Sequence, residues 1–355
     1  MKIERIETKK LEMPYIKPLV TATNHFIVAR GLLVTVGTDR GVEGYGYADL
    51  FPRAGETRET AAHVIETVLK PKLVGKELEE LARMRAEIDR SLTGHPRAKS
   101  ALESAMIDAL ARSYHVPLFV MLGGKYRSEI GVIKMVSVGD PEAMAEEATE
   151  LVKAGLSLKL KVGGNIQKDL PRVAAVRKAV GDSVFIKIDA NEAYDAKNAI
   201  RLARGLADLG VEIFEQPVPR DQFDALWEVK KHAPIKIEAD QSCRSFSDAQ
   251  VLIKNRMVDS INTGIPKTGS LSETRRIAEL CEQNGIGCAL SNTAGSMVGD
   301  AAAVHLAAAT SGIAPLCELG EFEAITGDPF FGLTVDKGFI SVPEGEGLGV
   351  SLRGF

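Results

Sequence analysis

The sequence predicts a (β/α) barrel joined to an α+β N-terminal lobe, and three observations carry that prediction. From about Ile130 onward, short β-branched runs alternate with amphipathic helical stretches, the rhythm of repeated β/α units. The residues before Ile130 have another texture, a strand hairpin followed by a run of helices. Polar side chains recur at the ends of successive barrel strands, on the face where barrel enzymes place their chemistry.

In chain order, GLLVTVGTDRGVEGYGYADL alternates apolar and small residues about Asp39-Arg40-Gly41, which predicts a hairpin. Helical patterns follow over about 59–69 and 78–92. The segment 97–113 is also helical, with Ala101, Ala105, Ala109 and Leu110 near one face. Eight strands are then expected, at VIKMVSV, LSLKLKV, VFIKID, VEIFEQ, IKIEAD, DSINTG, IGCALS and APLCEL. Helices such as PEAMAEEATELVKAG and SETRRIAELCEQNG lie between them. A doubly wound sheet is the competing fold. It usually offers a glycine-rich turn after its first strand, and neither GxGxxG nor GxxxxGK[ST] occurs. The last stretch returns to Gly/Pro-punctuated strand texture. Residues 1–125 are thus expected to form the lobe, 126–325 the barrel, and 326–355 a segment folding back onto the lobe.

Composition narrows the functional classes. The 355 residues are 45% hydrophobic and 26% charged, with a net charge of −4. That balance gives no reason to expect nucleic acid or an anionic membrane as partner. The N-terminus has no apolar segment of signal-peptide type and no stretch has the length of a membrane span, so a cytoplasmic protein is expected. Cys243, Cys281, Cys288 and Cys317 lack zinc-type or CxxC spacing and are expected to be reduced and mostly buried.

The chemistry sits at the strand ends. Lys159 and Lys161 close LKLKV, Asp189 and Asn191 close IDAN, Glu215 closes EIFEQ, and Asp240 closes IKIEAD. Successive positions lie about 25 residues apart, one β/α unit, so the side chains should converge on one barrel mouth. Three converging carboxylates repel unless a cation sits among them, and hard oxygen ligands suit Mg²⁺. Alternate residues of a strand face the same way, so both lysines should point inward. Crowding and burial are expected to lower a lysine pKa towards the range of a general base.

On VPLFVMLGG with AMIDAL before it, and on LKLKVGG, IDAN, FEQP and EADQS in order, the chain resembles the enolase superfamily, muconate-lactonizing-enzyme subgroup, that is, the mandelate racemase/muconate lactonizing enzyme family. The resemblance spans nearly the whole chain. It implies a (β/α)7β-type TIM barrel with an α+β capping domain completed by the C-terminal segment. It also implies Mg²⁺, with Mn²⁺ as an alternative, on Asp189, Glu215 and Asp240. Lys161 would move the proton and Lys159 would stabilise the enolate. The substrate would be a small carboxylate, and a homo-oligomer is expected.

The departures from the family pattern set the functional expectation. Strand six of the subgroup reads like N-I-K-x-x-K-x-G-G. Aligned on it, Gly264 replaces the lysine expected to face Lys161, and Lys267 matches a second, non-catalytic basic position. A strand continuing past Gly264 would carry Lys267 about 10 Å away. Gln241 and Gly295 stand where the family often has Glu. The Asp-x-Asp with which dipeptide epimerases hold a substrate amine is absent, and CELGEFE, with Glu318 and Glu321, stands there instead. Asn191, Gln241 and Lys267 are expected behind the primary ligands. His25, Asn292, Glu318 and Glu321 are candidate substrate contacts, while His63, His95, His115, His232 and His305 are expected to be structural. These features favour a single lysine base, performing cycloisomerisation or syn elimination. A racemase or epimerase, with Pro266 bending the strand end so that Lys267 swings in, is the alternative. A metal-binding homologue without catalysis is the reading from another class.

Overall fold

The computed structural model describes residues 1–21, 25–51, 54–293 and 295–353. Three antiparallel strands open the chain: β1 (Ile3–Val20), β2 (His25–Thr38) and β3 (Glu43–Asp49). The hairpin expected about Asp39-Arg40-Gly41 joins β2 to β3. Gly41 has a φ of +74° and donates its N–H to the Thr38 carbonyl at 3.0 Å. The long first strand was not read from sequence. A register shift between Ile3 and Arg5 breaks its alternation, so buried Ile3, Ile6, Leu11 and Met13 do not keep a simple period of two.

The helix Pro96–Ser113 lies across β3, and its Ala101, Ala105 and Ala109 are buried. Gly44 and Gly46 let strand and helix touch. A Cβ on Gly46 would lie 1.9 Å from the Ala101 carbonyl oxygen, and one on Gly44 would lie 2.2 Å from the Ala109 nitrogen. Backbone cannot yield as a side-chain tip can, so Gly46→Ala should destabilise the chain by about 3 kcal/mol. Urea unfolding at constant m-value measures this, and an unchanged midpoint would contradict the close approach.

The barrel follows: β4 (Glu129–Val136), β5 (Ser157–Lys161), β6 (Ile186–Asp189), β7 (Ile213–Glu215), β8 (Lys236–Ala239), β9 (Ser260–Thr263), β10 (Gly287–Leu290) and β11 (Leu316–Cys317). All eight are parallel, in the order β10-β9-β8-β7-β6-β5-β4-β11. The ring closes where Glu318 N–H donates to the Leu290 carbonyl at 2.9 Å and Ala314 N–H to that of Cys288 at 2.8 Å. This is the expected TIM barrel with its capping lobe.

The remaining strands are β12 (Phe330–Phe331), β13 (Phe339–Ser341) and β14 (Ser351–Leu352); β13 pairs antiparallel with the start of β4, and β12 pairs with β14. Asp108, buried in the helix against β3, accepts from Tyr45 N–H at 2.8 Å and from Leu348 N–H at 2.7 Å, tying lobe sheet, helix and tail together. All four cysteines are buried and free. No helix among the described residues is long and apolar enough to cross a membrane.

The helix Met297–Ala309 is buried along almost its whole length and carries His305 against Phe119, with Glu344 and Lys125 as its charged neighbours. Burial pushes the His305 pKa down to about 4. The folded chain thus holds this imidazole neutral while the unfolded chain protonates it below about 6.5. Its contribution is present above pH 6.5 and is lost as pH falls towards 4, about 3 kcal/mol over that window. In urea titrations between pH 7 and 4, His305→Gln should lose less stability than the wild type; parallel curves would remove His305 as the cause.

Candidate active site

The barrel strands end beneath the lobe, around a cavity of about 340 Å³. Leu19, Phe26 and Phe51 close it from the lobe side, and Ile133 and Met135 of β4 add an apolar wall. The polar floor comes from alternate positions on successive strands, because a period of two keeps those side chains inside the ring.

Lys159 donates to Glu215 Oε1 at 2.8 Å and to Glu318 Oε2 at 2.6 Å, and lies 3.0 Å from Asp189. Burial alone would lower its pKa. The carboxylates of Asp189, Glu215, Glu318 and Asp240 outweigh burial and hold it well above the usual lysine range. The expected drop towards neutrality therefore does not occur at Lys159, which stays a fixed positive charge. Lys161 donates to Asp189 Oδ2 at 2.5 Å. Asp189 also accepts from the backbone N–H of Asn191 at 2.7 Å and from its Nδ2 at 3.0 Å. Asn191 has a φ of +45°, a left-handed turn that brings its own N–H back onto the strand-end acid.

Asp189, Glu215 and Asp240 close three adjacent strands, with Asp189 and Glu215 directly paired across β6 and β7. Burial raises the Asp240 pKa, partly offset by Lys267. Gln216, which follows Glu215 in FEQP, accepts from the backbone N–H groups of Asp240 and Ser242, both at 3.0 Å. It sets the angle at which Asp240 leaves β8; its place in the FEQP motif was the available signal.

Lys267 is where sequence and structure part. The expectation that it lies about 10 Å further along an extended strand is overturned. β9 stops at Thr263, and Ile265–Thr268 coils into a single helical turn. That turn folds the side chain back, so Lys267 donates to Asp240 Oδ1 at 2.5 Å and to the Asn262 carbonyl at 2.5 Å. It lines the same cavity as Lys161. At Gly264 a Cβ would meet the Ser291 carbonyl oxygen, just past β10, at 2.6 Å, so this backbone leaves no room for a side chain there. Gly295 is similar, since a Cβ would lie 2.4 Å from the ring of buried Tyr47.

The other candidates divide. Asn292, Glu318 and Glu321 line the cavity, and Gln241 does so with its Oε1 buried and without a hydrogen-bond partner. Asn292 Nδ2 is engaged by Asp300 at 3.1 Å. Glu318 is not free for substrate. It accepts from Lys159, from Lys187 at 2.5 Å and from Asn262 Nδ2 at 2.9 Å, and the two lysines hold its carboxyl down at about 2 against burial. His25 does not fit the expectation either. Its side chain is exposed on β2, and the neighbouring Phe26 lines the cavity. Residues 22–24 and 52–53, next to Phe26 and Phe51 in the lobe, lie outside the described residues.

Lys187 and Glu238 were missed. Each stands two positions before a strand-end acid, on the same face of its strand, so FIKID and IKIEAD held the signal. Among the described residues, Glu215, Glu238 and Glu318 are the carboxylates whose oxygens converge within 4.8 Å of one another, a grouping able in outline to hold a cation. The Lys187 ammonium already stands in that grouping, with ion-pair contacts to all three. The outer set of Asp189, Glu215 and Asp240 has the hard-oxygen chemistry that suits Mg²⁺ and borders the cavity directly through both aspartates.

The sequence matches the profile of the enolase C-terminal domain-like family over residues 143–354 and that of the mandelate racemase/muconate lactonizing enzyme N-terminal domain over residues 5–123. It is 34% identical to an L-Ala-D/L-Glu epimerase of Bacillus subtilis, over 99% of this chain and 97% of that protein. The substrate-liganded structure of that epimerase superposes with a TM-score of 0.96 at 33% identity, covering 100% of both chains. A muconate cycloisomerase of Rhodococcus opacus is 32% identical over 99% of this chain and 96% of its own. An N-succinyl-L-Arg/Lys racemase of Bacillus cereus is 29% identical over 99% and 96%, and its structure has a TM-score of 0.96. Over its whole length, in both lobe and barrel, the chain belongs to the mandelate racemase/muconate lactonizing enzyme family of the enolase superfamily.

Proposed function

We propose that the protein is a two-base racemase or epimerase that inverts the carbon next to a substrate carboxylate. The observation that carries this is the position of Lys267. Lys161 closes β5 and Lys267 follows β9, four strands apart in a ring of eight, so the two ammonium groups flank the cavity from opposite sides. The acids of β6, β7 and β8 lie between them. Lys161, acting as the neutral amine, removes the α-proton from one face and becomes the ammonium, while Lys267 gives its ammonium proton to the other face; in the reverse direction the protonation states and roles exchange. Lys159, held charged, faces the side where negative charge grows on the substrate carboxylate. Asp189, Glu215 and Asp240 would hold magnesium, which supplies positive charge to that carboxylate when bound.

The pairing of charges bears on substrate class. Each of the six carboxylates lining the cavity has a cation of the chain beside it: Asp49 with Arg97, Asp189 with Lys161, Glu192 with Arg220, Asp240 with Lys267, Glu318 with Lys159, and Glu321 with Lys134. Among the described residues lining the cavity, no acid without a cation beside it is left for a free ammonium. This favours an α-amino acid whose nitrogen is acylated, with its acyl or side-chain carbons against Leu19, Phe26, Ile133 and Met135. A single-base reading keeps one point in its favour, since Lys267 is engaged as the counter-ion of Asp240. Both enantiomers of a panel of N-acyl amino acids and dipeptides, incubated in D₂O with Mg²⁺ and followed by proton NMR and chiral chromatography, decide the matter. Two-base chemistry exchanges the α-proton of both enantiomers and interconverts them. Exchange with retention on one enantiomer alone would return the site to a single base.

A further inference from the structure

Beneath the cavity floor the barrel is filled by charge rather than by the branched apolar side chains usual inside such a ring. Lys187 is 1% exposed and heads the largest fully buried side chains of the molecule. Its ammonium lies 2.7 Å from Glu215 Oε2 and 2.5 Å from Glu318 Oε1, and it also pairs with Glu238. Those three residues are the ones whose carboxylate oxygens converge within 4.8 Å. Glu215 is shared between two settings. It belongs to the outer set with Asp189 and Asp240, and one of its oxygens faces Lys187 in the inner set. Such sharing is the geometry from which two-metal sites are built, with ions roughly 3.5–4 Å apart.

We propose that the Lys187 ammonium is a resident cation that occupies the inner cluster of Glu215, Glu238 and Glu318, and so confines divalent metal to a single outer site. Lys187 is a positioning residue, touching neither substrate nor the reacting carbon. Three buried carboxylates need compensating charge. Here it comes from Lys187, a point charge tethered to β6 that touches all three and cannot dissociate, with Lys159 pairing Glu215 and Glu318 from the cavity side. The side chain therefore holds Glu215 and Glu318 in place whether or not the outer ion is bound. The proposal deepens the metal reading above and rests on it for the outer site alone.

Manganese is the probe, counted by the electron paramagnetic resonance signal of the free ion, on the full chain stripped with chelator. Lys187→Met is expected to bind one more manganese per chain than the wild type. Lys187→Met/Glu238→Gln should lose that extra ion, and Lys187→Arg should not gain it. A Lys187→Met chain that is folded by circular dichroism and binds no more manganese than the wild type overturns the proposal. If Lys187→Met does not fold, saturation of the wild-type chain decides it: one ion or fewer supports a filled inner cluster, while a second ion that Glu238→Gln removes overturns it. The wild-type count judges the metal reading separately. No ion on the wild type sinks the outer site, while one extra ion on Lys187→Met still supports the inner one.

Discussion

Lys267→Ala is expected to stop α-proton exchange on one enantiomer by about a thousandfold or more, and to leave exchange on the other enantiomer running. A positioned acid or base contributes about 10²–10⁴ to a rate, and among the described residues Lys267 is the one lysine lining that side of the cavity. The remaining enantiomer still presents its α-proton to Lys161, so it exchanges with solvent deuterium and is returned with retention. Lys161→Ala should give the mirror-image result. Racemisation should vanish in both variants, since it needs both faces. The two exchange rates, measured separately on each pure enantiomer, test the assignment directly. Loss of exchange on both enantiomers in Lys161→Ala, with little change in Lys267→Ala, would make Lys161 the only base and Lys267 merely the counter-ion of Asp240.

Asp240→Asn is expected to weaken Mg²⁺ binding at least about a hundredfold and to abolish turnover with it, while the barrel stays folded. The carboxylate is one of the three acids proposed as ligands at adjacent strand ends, and an amide offers a dipole where the ion would need charge. The fold should tolerate the change, because the backbone N–H of Asp240 keeps its bond to Gln216 and Asn is nearly isosteric. Lys267 loses its partner at Asp240 Oδ1 but keeps the Asn262 carbonyl. Calorimetric titration with Mg²⁺, beside a thermal melt of the stripped protein, separates metal loss from unfolding. Wild-type magnesium affinity in this variant would remove Asp240 from the ligand set.

Much of the architecture was legible because it is periodic. Strand-end residues one β/α unit apart must converge if the strands close into a ring, so Lys159, Lys161, Asp189, Glu215 and Asp240 could be gathered at one barrel mouth from spacing alone, although Glu215 itself lies beneath the cavity lining. The shared helix face of Ala101, Ala105 and Ala109 was likewise legible, while the strand glycines Gly44 and Gly46 that meet it came from the structure.

The sequence by itself thus determined the barrel, its lobe and the residues that face the cavity, because those follow from alternation along each strand. Only the tertiary structure decided what each charge does there. Whether β9 runs on or coils after Thr263 is not contained in its alternation; in the folded chain Ile265–Thr268 turns and brings Lys267 back onto Asp240. Glu318 looked free for substrate, yet it is bound by Lys159 and Lys187 from strands more than a hundred residues earlier. Periodicity tells which way a side chain points. Which partner it meets depends on the shear and closure of the ring, which no window of sequence contains.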